Sequence, residues 1–191
     1  MEPLKRKHTA LELLTDPSID TWTLEDRDTL MQPINLQDFK DRQEFMESTF
    51  NPNAYNESSH AVGRFQITPI AHKEYTNRTG ITGNLYDSEY NEQVRDWYMN
   101  EYLPNFEMAK EREYPLVKTA VMAGGFNIGP HAMKNELKRL EKLGFDTKSS
   151  LDWVNHVRWP ETRNYIKFTV LGQDVSKKSN VEYQRALLKR K

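Results

Sequence analysis

The 191-residue sequence contains no cysteine, which excludes disulfide bonds, thiolate metal sites and a cysteine nucleophile. It also lacks an excess of either charge: 27 basic and 28 acidic residues give a net charge of −1, unlike the strongly basic domains that bind nucleic acid. No apolar run reaches the length of a membrane span, and the first residues lack the apolar core of a secretory signal peptide. We therefore expect neither a nucleic-acid partner nor a transmembrane segment.

Histidine is scarce and scattered. No two of the five histidines have the spacing of paired metal ligands. They are His8, His60, His72, His131 and His156. Because cysteine is absent as well, we expect no metal site and no cofactor.

The residues that are present describe one globular domain. The chain is 37% hydrophobic and 29% charged, and it is long enough for one domain with a hydrophobic core. Start and stop signals predict helices from Leu36 to just before Asn51, over 69–79, from Asp87 to Pro104, from Pro115 to Val121 with a stop at Gly124-Gly125, from Pro130 to Gly144, from Ser150 to Val157 and from Glu161 to Leu171. Only residues 55–67 and 81–86 could hold short strands. The predicted fold class is mostly α, a single helical domain with at most a small β-hairpin region.

The domain is predicted to span residues 37–172. An N-terminal extension (1–36) and a basic C-terminal extension (173–191) flank it. Basic clusters lie near both ends, Lys5-Arg6-Lys7 and Lys189-Arg190-Lys191. The extensions are either solvated and mobile, or they dock onto an acidic partner, for which Val181 to Leu188 could supply an amphipathic helix.

Glu47 is the carboxylate with the most unusual neighbours in the sequence. It comes at the end of a predicted helix, between Phe45, Met46 and Phe50, before a turn at Asn51-Pro52-Asn53. Burial among apolar groups raises the pKa of a glutamate toward neutrality and makes it a general acid. Composition alone favours an ordinary surface glutamate here, so the assignment depends on the wider pattern.

Four segments in the same order resemble the motifs of lytic transglycosylases of the soluble, lysozyme-like kind. The family patterns are E-S-x-F-N-P-x-A, G-L-M-Q-I-x-P, A-Y-N-A-G-P and E-T-R-x-Y-V, and they correspond here to 47–54, 63–69, 125–130 and 161–166. One such motif alone is a weak signal, whereas four in order are specific. The resemblance implies a lysozyme-like helical fold and cleavage of the glycan strands of peptidoglycan.

The resemblance also implies a mechanism. In this family a single glutamate, here Glu47, protonates the oxygen between N-acetylmuramic acid and N-acetylglucosamine. It then accepts a proton from the C6 hydroxyl of the muramic acid, which attacks the anomeric carbon and closes a 1,6-anhydro ring. One group that acts first as acid and then as base is consistent with microscopic reversibility.

The expected substrate-binding residues follow from the same motifs. They are Ser48, Asn56, Gln66, Phe126, Asn127 and Tyr165. Gln66 offers amide donors and an acceptor to an amino sugar, and Tyr165 matches a tyrosine that hydrogen-bonds the catalytic glutamate in the family. Simpler interpretations are a surface glutamine, a turn asparagine at 127 that caps the next helix, and a core tyrosine.

The sequence departs from the family pattern at a few positions. Asn56 stands where a serine is common, Arg64-Phe65 replaces a leucine-methionine pair, and Gly125-Phe126 replaces alanine-tyrosine. The loop from Ala54 to Gly63 is also one residue longer than usual. These changes bear on the substrate contacts and not on the class of reaction.

The sequence leaves several alternatives open. Glu44 and Glu57 are other carboxylates near Glu47, and a second catalytic carboxylate at Glu57 would indicate a muramidase of the goose-lysozyme type. A non-catalytic wall-binding or virion structural module with the same fold is a further alternative. Because a wall-cleaving enzyme acts outside the cytoplasm, the sequence suggests a virion-associated or injected phage enzyme, or one delivered by another machine, with virion or secretion-machine proteins as partners. The second interpretation is an exported bacterial enzyme whose leader has been removed.

Overall fold

The computed structural model describes residues 30–31, 34–175 and 178–190. Its α-helices are α1 (Leu36–Ser48), α2 (Pro69–Thr79), α3 (Ser88–Trp97), α4 (Glu107–Lys110), α5 (Pro115–Ile128), α6 (Pro130–Lys142), α7 (Pro160–Thr169) and α8 (Asn180–Arg190). A π-helical turn (Tyr98–Tyr102) extends α3, and 3₁₀ turns cover Leu103–Asn105 and Asp152–His156. The mostly helical, lysozyme-like fold class predicted from the sequence is confirmed.

Several helix starts lie where the capping residues predict them. The Thr68 side chain accepts from the Ala71 N–H, Pro69 occupies the first turn, and Gly80 ends α2 with φ of 72°. Asp87 caps α3 in the same way by accepting from the Tyr90 N–H. Such local signals define a helix boundary because they satisfy backbone groups that the helix itself leaves unpaired.

The prediction that a helix stops at Gly124-Gly125 is wrong, because α5 continues to Ile128. Both glycines are buried against neighbouring side chains. A Cβ on Gly124 would lie 2.6 Å from the Met133 sulfur, and one on Gly125 would lie 2.8 Å from the Met108 methyl carbon. The glycines therefore allow close packing of neighbouring elements on α5, and they are not a stop signal.

The main core surrounds α5, which packs on both α6 and α7. Val117 and Val121 on α5, Trp153 in the second 3₁₀ turn and Ile166 on α7 are fully buried there. This arrangement brings the third and fourth motifs, which lie on α5 and α7, next to each other.

The segment from the end of α1 to the start of α2 carries the first two motifs. β pairing among the described residues is limited to isolated bridges, and two of these, Tyr55–Val62 and Val62–Ile67, lie in the loop between the two helices. Residues 81–86, the other candidate for a strand, form none. The buried side chain of Asn91 braces the loop: its oxygen accepts from the Phe65 N–H and its nitrogen donates to the Val62 carbonyl, both at 2.9 Å.

The C-terminal helix α8 packs on α1. Tyr183 is only 1% exposed and lies in a small core with Phe45 and Phe168. Its hydroxyl donates to Asp38 at 3.0 Å. The amphipathic helix expected between Val181 and Leu188 therefore exists, but part of its apolar side covers the chain's own domain. The basic cluster Lys5-Arg6-Lys7 and Lys191 lie outside the described residues.

Replacing Tyr183 by alanine is expected to lower the free energy of unfolding by about 3 kcal/mol or more, the range for large aromatic side chains removed from a core. Val181 on the same helix is 58% exposed, so Val181→Ala should change it by less than about 0.5 kcal/mol. Urea denaturation followed by circular dichroism measures both values. Equal, small effects would show that α8 does not contribute to the core.

Candidate active site

Glu47 lies in the last turn of α1, and the chain then turns sharply. Thr49 and Phe50 both adopt left-handed backbone conformations, with φ of 56° and 64°. Lys178 reaches this turn from the segment before α8, where its Nζ donates to Thr49 Oγ1 at 2.7 Å and to the Phe45 carbonyl at 3.2 Å. Two consecutive non-glycine residues with positive φ need such support from the surrounding structure.

The Glu47 carboxyl is desolvated by the protein around it. Glu47 as a whole is half-buried, but its carboxyl is surrounded by protein atoms. This burial raises the pKa of the carboxyl from 4.5 to about 7. Among the described residues, the side chain of Tyr165 is the group that opposes this rise, by hydrogen bonding to the charged form. Near neutral pH the carboxyl is therefore divided between the acid and its conjugate base.

The structure brings Tyr165 of α7 beside Glu47. The phenol is almost fully buried, and its pKa lies well above the usual value because of that burial and of the nearby Glu47 charge. It remains neutral, so its hydroxyl can donate to the Glu47 carboxylate. The contact is looser than a standard hydrogen bond, since the hydroxyl has no partner of standard geometry within the described residues.

Gln66 closes the loop between α1 and α2. Its backbone has a φ of 47°, and its side-chain nitrogen donates to the carbonyls of Gly63 at 3.0 Å and Ala54 at 3.2 Å. The Gly63 N–H donates in turn to the Ala54 carbonyl at 2.8 Å. These bonds occupy the donors of the amide, and the side-chain oxygen is the part of Gln66 that can accept from a ligand.

Ser48 and Asn56 also bond to their own loops. Ser48 Oγ accepts from the Asn51 N–H at 3.2 Å at the turn that follows α1. Asn56 Oδ1 accepts from the backbone N–H groups of residues 58 and 59 and from the Ser58 hydroxyl. These three hydrogen bonds hold an exposed turn. In this structure both side chains shape the backbone near the site.

Asn127 and Phe126 lie in the last turn of α5. Asn127 is exposed, and its Oδ1 accepts from the Thr162 hydroxyl at 2.8 Å, so the third motif is bonded to the fourth. This bond turns the amide nitrogen of Asn127 away from Thr162. Phe126 is half-buried and contacts Tyr98 edge to face, with ring centroids 6.0 Å apart.

The two other candidate carboxylates differ from Glu47. Glu44 is buried and binds Arg64 through two hydrogen bonds of 2.7 Å, so it is a charged structural group. Arg64 also pairs with Glu92 at 2.8 Å, which explains why an arginine can stand where the family has leucine. Glu57 is exposed in the loop. Neither carboxylate interacts with Glu47 in a way that shifts its pKa.

Two buried polar residues near the site received no role from the sequence. Gln43 and Arg95 are joined by a hydrogen bond of 2.7 Å and lie on α1 and α3. The available signal was the position of Gln43, which is one helical turn before Glu47 and therefore on the same face of α1.

Groups of three or more histidine or acidic side chains with the arrangement of a metal site are absent from the described part of the chain. Within that part, every helix is also too short or too polar to span a bilayer.

A desolvated carboxylic acid beside a buried phenol, as Glu47 and Tyr165 form here, is typical of an enzyme site for acid–base chemistry. The family model of the transglycosylase SLT domain matches residues 45–148, just over half of the chain, and the chain belongs to this family. It is a peptidoglycan lytic transglycosylase and acts on the cell wall. The match includes the first three motifs, whereas Tyr165 and α8 lie beyond it. No curated protein and no solved structure gives a significant match to the chain.

The raised pKa of Glu47 makes the stability of the fold depend on pH. Between the ordinary glutamate pKa of 4.5 and the folded value of about 7, the native state holds a proton that the unfolded state has lost. The free energy of unfolding therefore falls as pH rises through this window, by up to about 1.4 kcal/mol per pH unit from this group. Above the folded pKa, the contribution of Glu47 is constant.

Glu47→Gln removes this contribution with little change in shape. The stability of the variant relative to the wild type is expected to increase from about pH 4.5 to pH 7 and to level off above. Urea denaturation of both proteins at a series of pH values measures the difference. A difference that does not change over this range would show that Glu47 titrates like an exposed glutamate.

Proposed function

We propose that Glu47 is the single catalytic acid and base of the reaction, and that the product carries a 1,6-anhydro-N-acetylmuramic acid end. The observation that supports this role is the desolvated carboxyl with a pKa of about 7 and no interacting carboxylate among the described residues. A group whose pKa lies near the working pH transfers protons efficiently in both directions.

The first step breaks the glycosidic bond. Protonated Glu47 donates to the oxygen between N-acetylmuramic acid and N-acetylglucosamine, and the bonding electrons leave with that oxygen. The anomeric carbon gains oxocarbenium character. The Tyr165 hydroxyl donates to the Glu47 carboxylate that results and stabilises the charge as it forms.

The second step closes the ring. The C6 hydroxyl oxygen attacks the anomeric carbon, and its proton passes to the Glu47 carboxylate, which restores the acid. No water is consumed, so the masses of the two products sum to that of the substrate. The internal hydroxyl replaces an activated water, and intramolecular attack benefits from proximity.

The substrate-binding residues complete the proposal. The side-chain oxygen of Gln66 and the amide nitrogen of Asn127 would bond to hydroxyl and acetamido groups of the amino sugars, and Phe126 would present an aromatic face. Ser48 and Asn56 shape the adjoining loops and would contact the sugar from there. The geometry of Asn127 supports its part, since Thr162 holds its oxygen and frees the nitrogen to donate.

The structure favours this reaction over hydrolysis. An inverting hydrolase needs a second carboxylate to activate water, and a retaining one needs a carboxylate nucleophile. Glu44 is bound in an ion pair with Arg64, and Glu57 is exposed. A module that only binds the wall would have no use for a buried acid with a pKa near 7, so a non-catalytic role is disfavoured.

Delivery through a virion or a secretion machine is part of the same proposal, with the basic clusters near the chain ends as candidate docking elements. Of the C-terminal cluster, Lys189 and Arg190 lie on α8. Arg190 pairs with Asp41 and Glu44, each at 3.1 Å. Lys189 is exposed and is therefore the better candidate for contact with an acidic partner.

The reaction type determines the ends of the products. Muropeptides released from purified peptidoglycan should end in 1,6-anhydro-N-acetylmuramic acid, because the muramic acid supplies its own nucleophile. Mass spectrometry distinguishes this end from a reducing end, which is heavier by one water. Products with reducing ends alone would establish a muramidase.

Glu47→Gln should reduce the initial rate of peptidoglycan cleavage by at least about 10²-fold, since an amide cannot cycle a proton. The matched control is Glu57→Gln, which makes the same change in the exposed loop and should keep wild-type activity. Unfolding curves establish that both variants are folded. If Glu57→Gln is inactive and Glu47→Gln is active, the roles of the two residues are exchanged.

A further inference from the structure

Two buried polar atoms near Glu47 have no hydrogen-bond partner of standard geometry within the described residues. They are the side-chain nitrogen of Gln43 and the hydroxyl oxygen of Tyr165. Buried polar groups are paired in the great majority of cases, and an unpaired one calls for a structural or functional explanation. Here the two atoms are complementary, since one is a donor and the other can accept.

The packing of the helices places these two residues around Glu47. Gln43 is one turn before Glu47 on α1, so the two side chains share a face of the helix. Helix α7 packs on α1 and carries Tyr165 to that face. The Tyr165 hydroxyl lies near both side chains, since, in addition to the effect of burial, Glu47 raises the pKa of the phenol and the Gln43 amide lowers it.

Arg95 determines the orientation of the Gln43 amide. Its Nε donates to Gln43 Oε1 at 2.7 Å, and both side chains are buried. Because the amide oxygen is bound to Arg95, the amide nitrogen must face the other way. Arg95 is itself fixed, with Nη1 donating to Asp96 at 2.8 Å and the guanidinium over the rings of Phe39 and Phe65.

We propose that Gln43 and Arg95 are positioning residues for the catalytic acid. Arg95 locks the Gln43 amide, the amide nitrogen holds the Tyr165 oxygen, and the phenolic proton is thereby directed at the Glu47 carboxylate. A hydroxyl that accepts one hydrogen bond donates a stronger one, so the bond from Gln43 strengthens the bond from Tyr165 to Glu47. The positive charge of Arg95 polarises this series of hydrogen bonds further. This inference rests on the proposed role of Glu47.

The other charged groups on and around α1 are engaged elsewhere. Lys178 bonds to the turn after Glu47, Arg64 and Arg190 bind Glu44, and Arg42 binds Asp38. Lys40 pairs with Glu92 and Asp96. On α8, Glu182, Arg185 and Lys189 are exposed. On α7, Arg163 donates to the Val157 carbonyl. No charged group among the described residues shifts the pKa of Glu47 directly, whereas Arg95 lowers the pKa of the Tyr165 phenol beside it.

The test measures the protonation of Glu47 without substrate. Glutamate carboxyl carbons are labelled with ¹³C, and the Glu47 signal is identified by its loss in Glu47→Gln. Titration should give a pKa near 7 for the wild type. Gln43→Met keeps the shape of the side chain but removes both hydrogen bonds. It should raise the pKa of Glu47 by about half a unit to one unit, because the charged form loses its aligned donor.

The proposed series of hydrogen bonds from Arg95 through Gln43 and Tyr165 to Glu47, here called the relay, predicts that Gln43 acts only through Tyr165. In a Tyr165→Phe background, Gln43→Met should therefore produce no further change in the Glu47 pKa. Thr169→Val is the matched control, since Thr169 is buried one turn from Tyr165 and its hydroxyl donates to the Tyr165 carbonyl at 2.7 Å. It should weaken the fold and leave the Glu47 pKa unchanged.

Two outcomes would overturn the proposal: an unchanged pKa in Gln43→Met, or a shift that persists without the Tyr165 hydroxyl. If Gln43→Met does not fold, Gln43→Glu keeps an acceptor for Arg95 and removes the donor to Tyr165. The added carboxylate raises the Glu47 pKa by its charge alone, so the comparison is made with and without the phenol. The rise should be larger with Tyr165 than in a Tyr165→Phe background, and an equal rise in both would refute the proposal. Because no substrate is involved, the result is independent of whether Glu47 proves to be the catalytic acid.

Discussion

The candidate active site depends on keeping the Glu47 carboxyl desolvated without a cationic partner. Burying a carboxylate is costly, and a protein normally offsets that cost by pairing the charge. Glu136 of this chain illustrates the ordinary solution. Burial alone would raise its pKa, but hydrogen bonds from the Arg139 side chain and the Arg158 backbone lower it instead. The partner of Glu47 is instead the neutral phenol of Tyr165, and the pKa of the carboxyl remains near 7.

Several residues that the family motifs assign to the substrate also hold the backbone of the site in place. Gln66 donates to two loop carbonyls, and Asn127 accepts from Thr162, which links α5 to α7. A side chain that bonds to the scaffold with one atom and leaves another for a ligand is restricted to one orientation. Such preorganisation reduces the ordering that substrate binding requires. The motif residues thus hold the geometry of the fold, and under the proposed function they would also contact the substrate.

Local chemistry made much of the fold predictable from the sequence. Thr68-Pro69 and Asp87 indicate helix starts through hydrogen bonds within a few residues, and the structure has helices there. The passage of α5 through Gly124 and Gly125 was missed because it depends on Met133 and Met108, whose proximity only the tertiary structure reveals. The candidate site divides in the same way. The motifs point to Glu47, whereas the bond between Gln43 and Arg95 joins residues 52 positions apart and has no local signature.

The contacts between α1 and α8 join two helices that lie near opposite ends of the described chain. Arg42 bonds to Asn180 across 138 positions, and Asp38 bonds to Tyr183 across 145. The helix that carries Glu47 therefore cannot acquire its native packing while the protein is still being synthesised up to α7. Closing such long loops is a slow step in folding, and it can begin only after α8 has left the ribosome. Translation order thus makes the completion of the packing around α1 a late event in the formation of this enzyme.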